Sequence, residues 1–277
     1  MRYRYLLLLI VPLVILSCKK EKGVYGEPVD PPGTTNIPKV LLKDIVIPNL
    51  PSPYYHFEYN ADSTVSVASF AADFKRYEVD YTGGRISEMK NNIAGLDERL
   101  QYLYDNAGRV IGVNYFDLAG TVSTKVSLSY DGQKLIKLER RRILGAGFVL
   151  NKVMTLSYYA DGNLKEIIDH RPAVDSVQEE STTSDRFEQY DNKINVDGFG
   201  LIHNEFFDHL VLLPGVQLQK NNAAKEIVTG AGDNYEVNYN YSYNDKNQPL
   251  TKAGEGTFTT GTNTGQHFQT NSFYSYY

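Results

Sequence analysis

The sequence lacks the residues on which disulfide cross-linking and metal binding depend. Its 277 residues include one cysteine, Cys18, and five histidines. A single thiol excludes an internal disulfide. No pair of histidines has zinc-type spacing with a cysteine or glutamate companion. We therefore predict no disulfide, no metal site and no bound cofactor.

Signatures of covalent catalysis and of nucleotide binding are also missing. There is no Gly-x-Ser-x-Gly elbow, and the glycine-rich stretches 83–85 and 145–147 match no nucleotide fingerprint. Acid pairs such as Asp97/Glu98 and Glu179/Glu180 would suit a glycosidase only at a particular separation in space. We therefore predict that the protein is not an enzyme, and a glycan-active enzyme is the least favoured alternative.

An excess of basic charge is lacking as well. Without Arg2 and Arg4 of the N-terminal leader, the 28 basic residues become 26, against 33 acidic ones. Proteins that bind nucleic acid usually carry a basic patch. We therefore predict that nucleic acid is not a partner, and we interpret the mild negative charge as an aid to solubility.

One group of polar residues in a single segment is a candidate constellation. His203, Glu205, Asp208 and His209 cluster in sequence, and residues 204–213 are the one stretch with the apolar spacing of a short helix. An amphipathic insertion with one solvent-exposed face explains this group of residues without a catalytic or metal-binding role. The run Glu139-Arg-Arg-Arg142 would alternate across a strand, and we interpret it as a solvated edge.

Only one long apolar run is present, and it lies at the N-terminus. Arg2 and Arg4 precede twelve apolar or aromatic residues, 5–16, whereas a helix that spans a bilayer needs about 20. A basic start, a short apolar run and a small residue before the return of polarity are the parts of a secretory signal. We predict that residues 1–17 are a signal peptide.

The cysteine follows this leader directly. Residues 15–18, Ile-Leu-Ser-Cys, resemble the lipobox of bacterial lipoproteins, which implies that Cys18 is acylated and becomes the new N-terminus. Several acyl chains would hold the protein firmly on a membrane. Lys19 is not the aspartate linked to retention in the inner membrane, so the resemblance implies the outer membrane. Residues 18–38, rich in proline and glycine, are predicted to be a flexible tether to a domain at 39–277.

A repeat runs through that domain. An alternating strand-like segment ends in a tyrosine, and turn-forming residues follow it. Successive tyrosines are 22, 23, 26, 28, 32 and 53 residues apart, so we expect longer insertions near the end and one weak copy in the last gap. The predicted repeat anchors are Tyr59, Tyr81, Tyr104, Tyr130, Tyr158, Tyr190 and Tyr243.

Each repeat has the pattern of a β-hairpin. Large residues alternate with polar ones before the tyrosine, and Asp, Asn and Gly follow it. The second strand instead carries apolar residues three apart, which indicates a bulge after the turn. Five copies show this spacing: Ile86/Met89, Val110/Val113, Leu135/Leu138, Leu164/Ile167 and Leu250/Ala253.

These hairpins predict an all-β fold with little helix. Seven or eight units give roughly 13 to 16 strands in one antiparallel meander, which would expose a large apolar face unless it curls. We expect a strongly curved sheet that forms an open half-barrel, a closed barrel or a two-layer wrap.

One copy carries a recognisable motif in full. Residues 104–109, Tyr-Asp-Asn-Ala-Gly-Arg, match the Tyr-Asp-x-x-Gly-Arg core of the YD repeat of Rhs-type shell proteins. The other copies keep the tyrosine and the turn but lose Asp, Gly or Arg. Over residues 55–277 the chain resembles cell-envelope lipoproteins of unknown function with degenerate YD-like hairpins. This resemblance implies a fold rather than an activity.

Two hypotheses of function follow. The leading one is a non-enzymatic, lipid-anchored lipoprotein of the outer membrane, facing the periplasm or the surface, that binds or scaffolds an envelope protein or a glycan. The alternative is a porin-like transmembrane β-barrel, since residues 273–277 resemble a porin's last strand. Charges such as Lys137, Glu139 and Lys165 in predicted strands weigh against that alternative. The tyrosines are interpreted as a cross-strand ladder, or as a binding surface if they project from a concave face.

Overall fold

The computed structural model describes residues 40–92, 94–95, 97–203 and 209–277. The predicted signal peptide, Cys18 and the predicted tether lie outside the described residues, as do Glu205 and Asp208 of the candidate constellation.

The described residues form one closed, antiparallel β-barrel. Each strand pairs with its neighbours in sequence, and the first strand pairs with the last to close the sheet. The predicted all-β meander is confirmed, and of the three shapes left open the chain adopts the closed barrel. The sixteen strands are β1 (Leu42–Val46), β2 (Tyr55–Tyr59), β3 (Val65–Phe70), β4 (Lys75–Thr82), β5 (Arg85–Asn91), β6 (Arg99–Tyr104), β7 (Val110–Phe116), β8 (Val122–Asp131), β9 (Lys134–Leu144), β10 (Gly147–Tyr158), β11 (Leu164–Arg171), β12 (Ser181–Tyr190), β13 (Ala223–Gly230), β14 (Asn234–Tyr243), β15 (Pro249–Thr260) and β16 (His267–Tyr276).

The alternation along each strand decides which side chains enter the barrel. In β4, Tyr77 and Val79 are buried in the interior, whereas Glu78 and Asp80 between them are exposed on the outside. The same period of two recurs from strand to strand, because successive side chains of a strand point to opposite faces. In β4, and in the strands that share its pattern, the apolar side chains therefore face the interior and the polar ones face outwards.

Bulges after the hairpin turns bring both apolar residues of the second strand to the interior. The pairing of β4 with β5 shifts between Asp80 and Tyr81, so that Ile86 and Met89, three residues apart, are both buried. The predicted bulge is confirmed here, and similar shifts occur in the hairpins that follow Tyr59, Tyr104, Tyr130 and Tyr158.

The fifth predicted pair, Leu250/Ala253, is wrong by one residue. Tyr243 pairs with Pro249 after the shift, so Pro249 is buried whereas Leu250 is 40% exposed. A displacement of one residue moves a side chain to the other face of a sheet. Leu250 and Ala253 therefore point outwards.

The long gap before the seventh repeat holds an insertion rather than a weak repeat copy. Residues 191–222 connect β12 to β13, and their described parts, 191–203 and 209–222, pack into the barrel; we call this segment the insertion. It contains a 3-10 helix, Gly198–Ile202, and its Leu210 and Leu218 are buried in the core. Of the predicted helix at 204–213, residues 204–208 lie outside the described part, and residues 209–213 are not helical. Leu212 instead donates its N–H to the Tyr102 hydroxyl of the barrel wall, over 3.1 Å.

Candidate ligand-binding pocket

Eight tyrosines at one end of the barrel make the same hydrogen bond, and we call them the tyrosine collar. Each lies at or near the end of an even-numbered strand, and its hydroxyl donates to a main-chain carbonyl near the start of the preceding strand. The donor–acceptor distances run from 2.6 to 3.1 Å. The pairs are Tyr59–Leu42, Tyr81–Val65, Tyr104–Ile86, Tyr130–Val110, Tyr158–Leu135, Tyr190–Leu164, Tyr241–Ala223 and Tyr276–Pro249.

Six of the seven predicted anchors lie in the collar, and Tyr243 does not. Its place is taken by Tyr241, because the register of β13 with β14 brings Tyr241 beside Ala223 at the start of β13, whereas Tyr243 lies two residues further along β14. The Tyr243 hydroxyl hydrogen bonds to Asp191 of the insertion. The alternation Tyr-x-Tyr-x-Tyr over 239–243 offers three tyrosines on one face, so sequence alone does not single out the one that bonds. The tyrosines of neighbouring strands are thus linked to the barrel wall by hydroxyl-to-carbonyl hydrogen bonds, which take the place of the cross-strand ladder interpreted from the sequence.

Cations lie over three of the collar rings. Arg85, Arg109 and Lys134 each follow a hairpin turn, and they stand 5.5, 5.2 and 5.3 Å from the ring centroids of Tyr104, Tyr130 and Tyr158. Such cation–π contacts stabilise a structure modestly at exposed sites. They also place positive charge around this end of the barrel.

A cavity of about 510 Å³ lies between the collar and the insertion. Volumes of this size are typical of pockets that bind small molecules. The barrel wall contributes Phe57, Ile86 and three collar tyrosines. The insertion contributes apolar side chains opposite them, and turn residues form the rim. The lining from the insertion is Asn195, Val196, Phe199, Leu212, Leu213 and Pro214, and the rim includes Ser63, Thr64 and Arg85.

The collar tyrosines present their rings, rather than free hydroxyls, to this cavity. The hydroxyls of Tyr59, Tyr81 and Tyr104 donate to the carbonyls of the wall. Burial raises the pKa of Tyr59 to about 12 and also raises the pKa of Tyr81 and Tyr104. The three phenols therefore stay neutral at physiological pH, and the wall of the cavity is apolar.

A second, smaller cavity of about 150 Å³ inside the barrel is lined by charged groups. The Lys252 ammonium is 3.6 Å from Asp197 of the insertion, and the Tyr274 hydroxyl donates to the same carboxylate over 2.7 Å. Tyr239 donates to Glu226 over 2.5 Å. Burial alone would raise the pKa of Asp197, but Lys252 and the hydrogen bonds outweigh it and lower that pKa. The two contacts of Asp197 fasten the insertion to β15 and β16.

Two other interior charges come from motifs weighed in the sequence, Glu98 of an acid pair and Arg140 of the arginine run. Glu98 is buried and accepts a 2.5 Å hydrogen bond from the Lys75 ammonium. Arg140 is 4% exposed and faces inwards, whereas Glu139 and Arg141 lie on the other face, where they form an ion pair. The split of the arginines between faces is as predicted, but the solvated-edge interpretation is wrong for Arg140, because closure of the barrel turns one face of β9 into the interior.

The histidines of the candidate constellation are separated by their packing. His203 hydrogen bonds to the Tyr55 hydroxyl over 2.8 Å, and His209 hydrogen bonds to Tyr77 and lies 3.6 Å from Glu98. Both therefore hold the insertion against the wall. No group of three or more His, Cys, Asp or Glu side chains suited to a metal ion occurs among the described residues.

The pocket's insertion side was missed by the sequence analysis. A signal for it existed, because the 53-residue gap before Tyr243 contains a run of apolar residues at 210–213. Which part of the wall those residues would meet depends on contacts between distant parts of the chain, so the pattern alone does not reveal a cavity.

Two crystal structures share this fold. One is a porin-like protein from Bacteroides uniformis ATCC 8492, with a TM-score of 0.55 and 11% identity over 80% of this chain and 89% of that one. The other is a porin-like protein from Bacteroides vulgatus ATCC 8482, with a TM-score of 0.54 and 13% identity over 86% of this chain and 99% of that one. No protein-family model matches the sequence, and no curated protein matches it.

The described residues thus form a sixteen-strand antiparallel barrel with the fold of these porin-like proteins. This architecture corresponds better to the alternative hypothesis, a porin-like barrel, than to the leading hypothesis, a lipoprotein scaffold. In the ranges that the structure describes, no helix has the length and apolar character needed to cross a membrane.

Proposed function

We propose that this protein is a lipid-anchored barrel of the cell envelope that faces water and binds an apolar molecule, without catalysing a reaction. The observation that carries the proposal is the cavity of about 510 Å³ between the collar and the insertion. An apolar cavity of this size binds by removing apolar ligand surface from water.

The outer face of the barrel supports a water-facing position. Ion pairs link neighbouring strands on this face, such as Lys90 with Asp80 over 2.8 Å and Lys225 with Glu236 over 2.7 Å. A transmembrane barrel has an apolar outer band, and Lys or Arg near the bilayer midplane costs roughly 2–4 kcal/mol. Here the alternation runs the other way, with the apolar side chains inside.

A membrane-inserted, porin-like barrel is the second candidate, and the likeness to two porin-like proteins favours it. A porin has a polar, water-filled lumen. In this chain the insertion and side chains such as Leu100, Leu135 and Leu164, all 0% exposed, fill the interior. This filling favours a binding barrel over an open pore.

The apolar wall also narrows the class of ligand. Recognition of a glycan needs polar groups that are free to hydrogen bond, but the three collar hydroxyls at the cavity are already bonded to carbonyls. Exposed rings such as Phe74, 69% exposed, remain available to an envelope protein. The cavity itself suits a hydrocarbon-like ligand.

The test is to fill the cavity. The chain contains no tryptophan, so Val196→Trp introduces both bulk and a fluorophore at the cavity wall. We expect this variant to bind a fluorescent apolar probe, such as an anilinonaphthalene sulfonate, at least roughly tenfold more weakly than the wild type does, since about 1.4 kcal/mol of lost contact gives that factor.

The matched control is Ile168→Trp, which adds the same side chain on the outer face at a position 37% exposed. This control should bind the probe as the wild type does. Thermal melting of both variants checks that the barrel is intact. Equal probe binding by a folded Val196→Trp variant would contradict the proposed pocket, and hydrolysis of an envelope polymer by the protein would contradict the non-enzymatic part.

A further inference from the structure

Arg85 stands at the rim of the apolar cavity. Its guanidinium lies over the ring of Tyr104, 5.5 Å from the centroid, and packs so closely on Gly108 that a Cβ there would come within 2.8 Å of Nη2. Its side chain lines the cavity, and the residue is exposed to solvent. A fixed positive charge is thus held at the edge of an apolar space.

In the next repeat the equivalent cation has a carboxylate partner. Arg109 occupies the equivalent place over Tyr130, and it forms an ion pair with Asp105, 2.7 Å from Nη2 to Oδ2. In the repeat of Arg85, the residue after the collar tyrosine is Thr82 instead of an aspartate. Among the described residues, Arg85 has no ion pair.

Other carboxylates near the rim are already engaged. Asp62 accepts hydrogen bonds from the main-chain N–H and the hydroxyl of Thr64, over 2.9 and 2.6 Å. Asp105 is held by Arg109. Asp105 is thus committed to Arg109, and the guanidinium of Arg85 can pair with an anion from outside.

We infer that the ligand is a single-chain amphiphile with an anionic headgroup, whose hydrocarbon chain enters the cavity and whose headgroup pairs with Arg85. This inference rests on the proposed function. Guanidinium matches the geometry of carboxylate and phosphate with two parallel N–H donors. The phenol rings and the insertion provide the apolar surface for the chain.

The experiment compares four probes that share a sixteen-carbon chain, each used below its micelle-forming concentration. They are palmitate, hexadecyl phosphate, hexadecanol and hexadecyltrimethylammonium. Arg85→Gln should weaken the binding of the two anions roughly 10- to 100-fold, because a hydrogen bond to a charged group contributes about 1.5–3 kcal/mol. Binding of hexadecanol should be unchanged, and Arg85→Lys should restore part of the loss.

Lys134→Gln is the matched control, since it removes a cation that lies over another collar tyrosine, Tyr158, and whose side chain does not line the cavity. It should leave the binding of all four probes unchanged. Stronger binding of palmitate identifies a fatty acid as the ligand class, and stronger binding of hexadecyl phosphate identifies a phospholipid-derived one.

The outcomes separate the inference from the proposal on which it rests. If hexadecanol binds and Arg85→Gln leaves palmitate binding intact, the headgroup inference is wrong while the apolar pocket stands. If hexadecyltrimethylammonium binds more tightly than palmitate, the inference is also wrong. If none of the four probes binds, the proposed function itself fails.

Discussion

Tyrosine suits the collar because one side chain satisfies two needs at the same place. Its ring fills apolar space inside the barrel, and its hydroxyl reaches a main-chain carbonyl beside a bulge, such as that of Ile86, which accepts from Tyr104 over 2.8 Å. A bulge disrupts the regular ladder and leaves main-chain groups in need of partners. Phenylalanine would fill the space but leave the carbonyl unbonded.

The substitution Tyr130→Phe tests this role. It removes the hydroxyl that donates to the carbonyl of Val110 over 2.7 Å and keeps the ring. We expect the free energy of unfolding to fall by about 0.5–1.5 kcal/mol, the usual net contribution of one hydrogen bond, measured by chemical denaturation. Tyr235→Phe is the control, because its hydroxyl has no hydrogen bond among the described residues and its ring packs on Phe258. An equal loss in both variants would contradict the role of the collar bond.

Asp185 offers a prediction of pH dependence at the residue scale. This side chain of β12 points into the barrel, and its Oδ1 has no hydrogen-bond partner in the described ranges. Burial raises its pKa well above the ordinary value of 3.8, Glu226 raises it further, and Lys252 opposes both. Because the pKa of Asp185 is higher in the folded state than in the unfolded state, the free energy of unfolding of the protein falls as the pH rises above about 4.

Asp185→Asn should therefore stabilise the barrel at neutral pH. We expect a gain of at least about 1.4 kcal/mol at pH 7.5, because each unit by which folding raises the pKa of the carboxyl costs about that much once the carboxyl is ionised. The gain should vanish below the unfolded pKa, at about pH 3.5, where both states carry the proton. Chemical denaturation at the two pH values measures it. Asp80→Asn, on the outer face, is the control and should stay within about 0.5 kcal/mol of the wild type. A gain that is the same at both pH values would contradict the titration of Asp185.

At the scale of elements, hairpin and bulge follow from local pattern. Ile86 and Met89 are three residues apart, yet both are buried, and a bulge after the turn is the arrangement that permits this in a strand. The same reasoning failed at Leu250, because Pro249 pairs with Tyr243 and takes the inward place. Since Pro249 is itself apolar, the sequence offers two registers there, and the choice depends on the neighbouring strands.

The insertion is an element whose position local pattern does not determine. Its apolar residues predicted a short helix, but Leu212 bonds to Tyr102 of the wall, and Phe199 packs edge-to-face on Tyr55 at 5.1 Å. A short helix is marginal by itself, so contacts with the barrel decide the conformation. The pocket exists because this segment meets the collar, and its lining was therefore not predictable from either part alone.

At the scale of the molecule, the surface decides between a tethered barrel and an inserted one. Removal of residues 1–18 should give a barrel that stays soluble without detergent, because charged and polar side chains cover its outer face. The measurement is size-exclusion chromatography with and without detergent. A requirement for detergent to keep the protein in solution would favour the membrane-inserted candidate.

The full-length chain provides the companion measurement. Mass spectrometry of the wild type purified from membranes should find the N-terminus at Cys18 with fatty acid attached, and Cys18→Ser should lose this modification and leave the membrane fraction. An unmodified N-terminus at Met1 in the wild type would contradict the lipid anchor, though not the pocket.

The sequence by itself determined the strands, the turns and, for most strands, the side that is apolar, because these follow from a period of two and from turn chemistry within a few residues. Only the tertiary structure decided the closure of β1 on β16, the choice of Tyr241 over Tyr243, and the lone charge of Arg85 beside an apolar cavity. Each of these three features depends on contacts between residues far apart in the chain. Such contacts are set by the packing of the described strands and the insertion against one another.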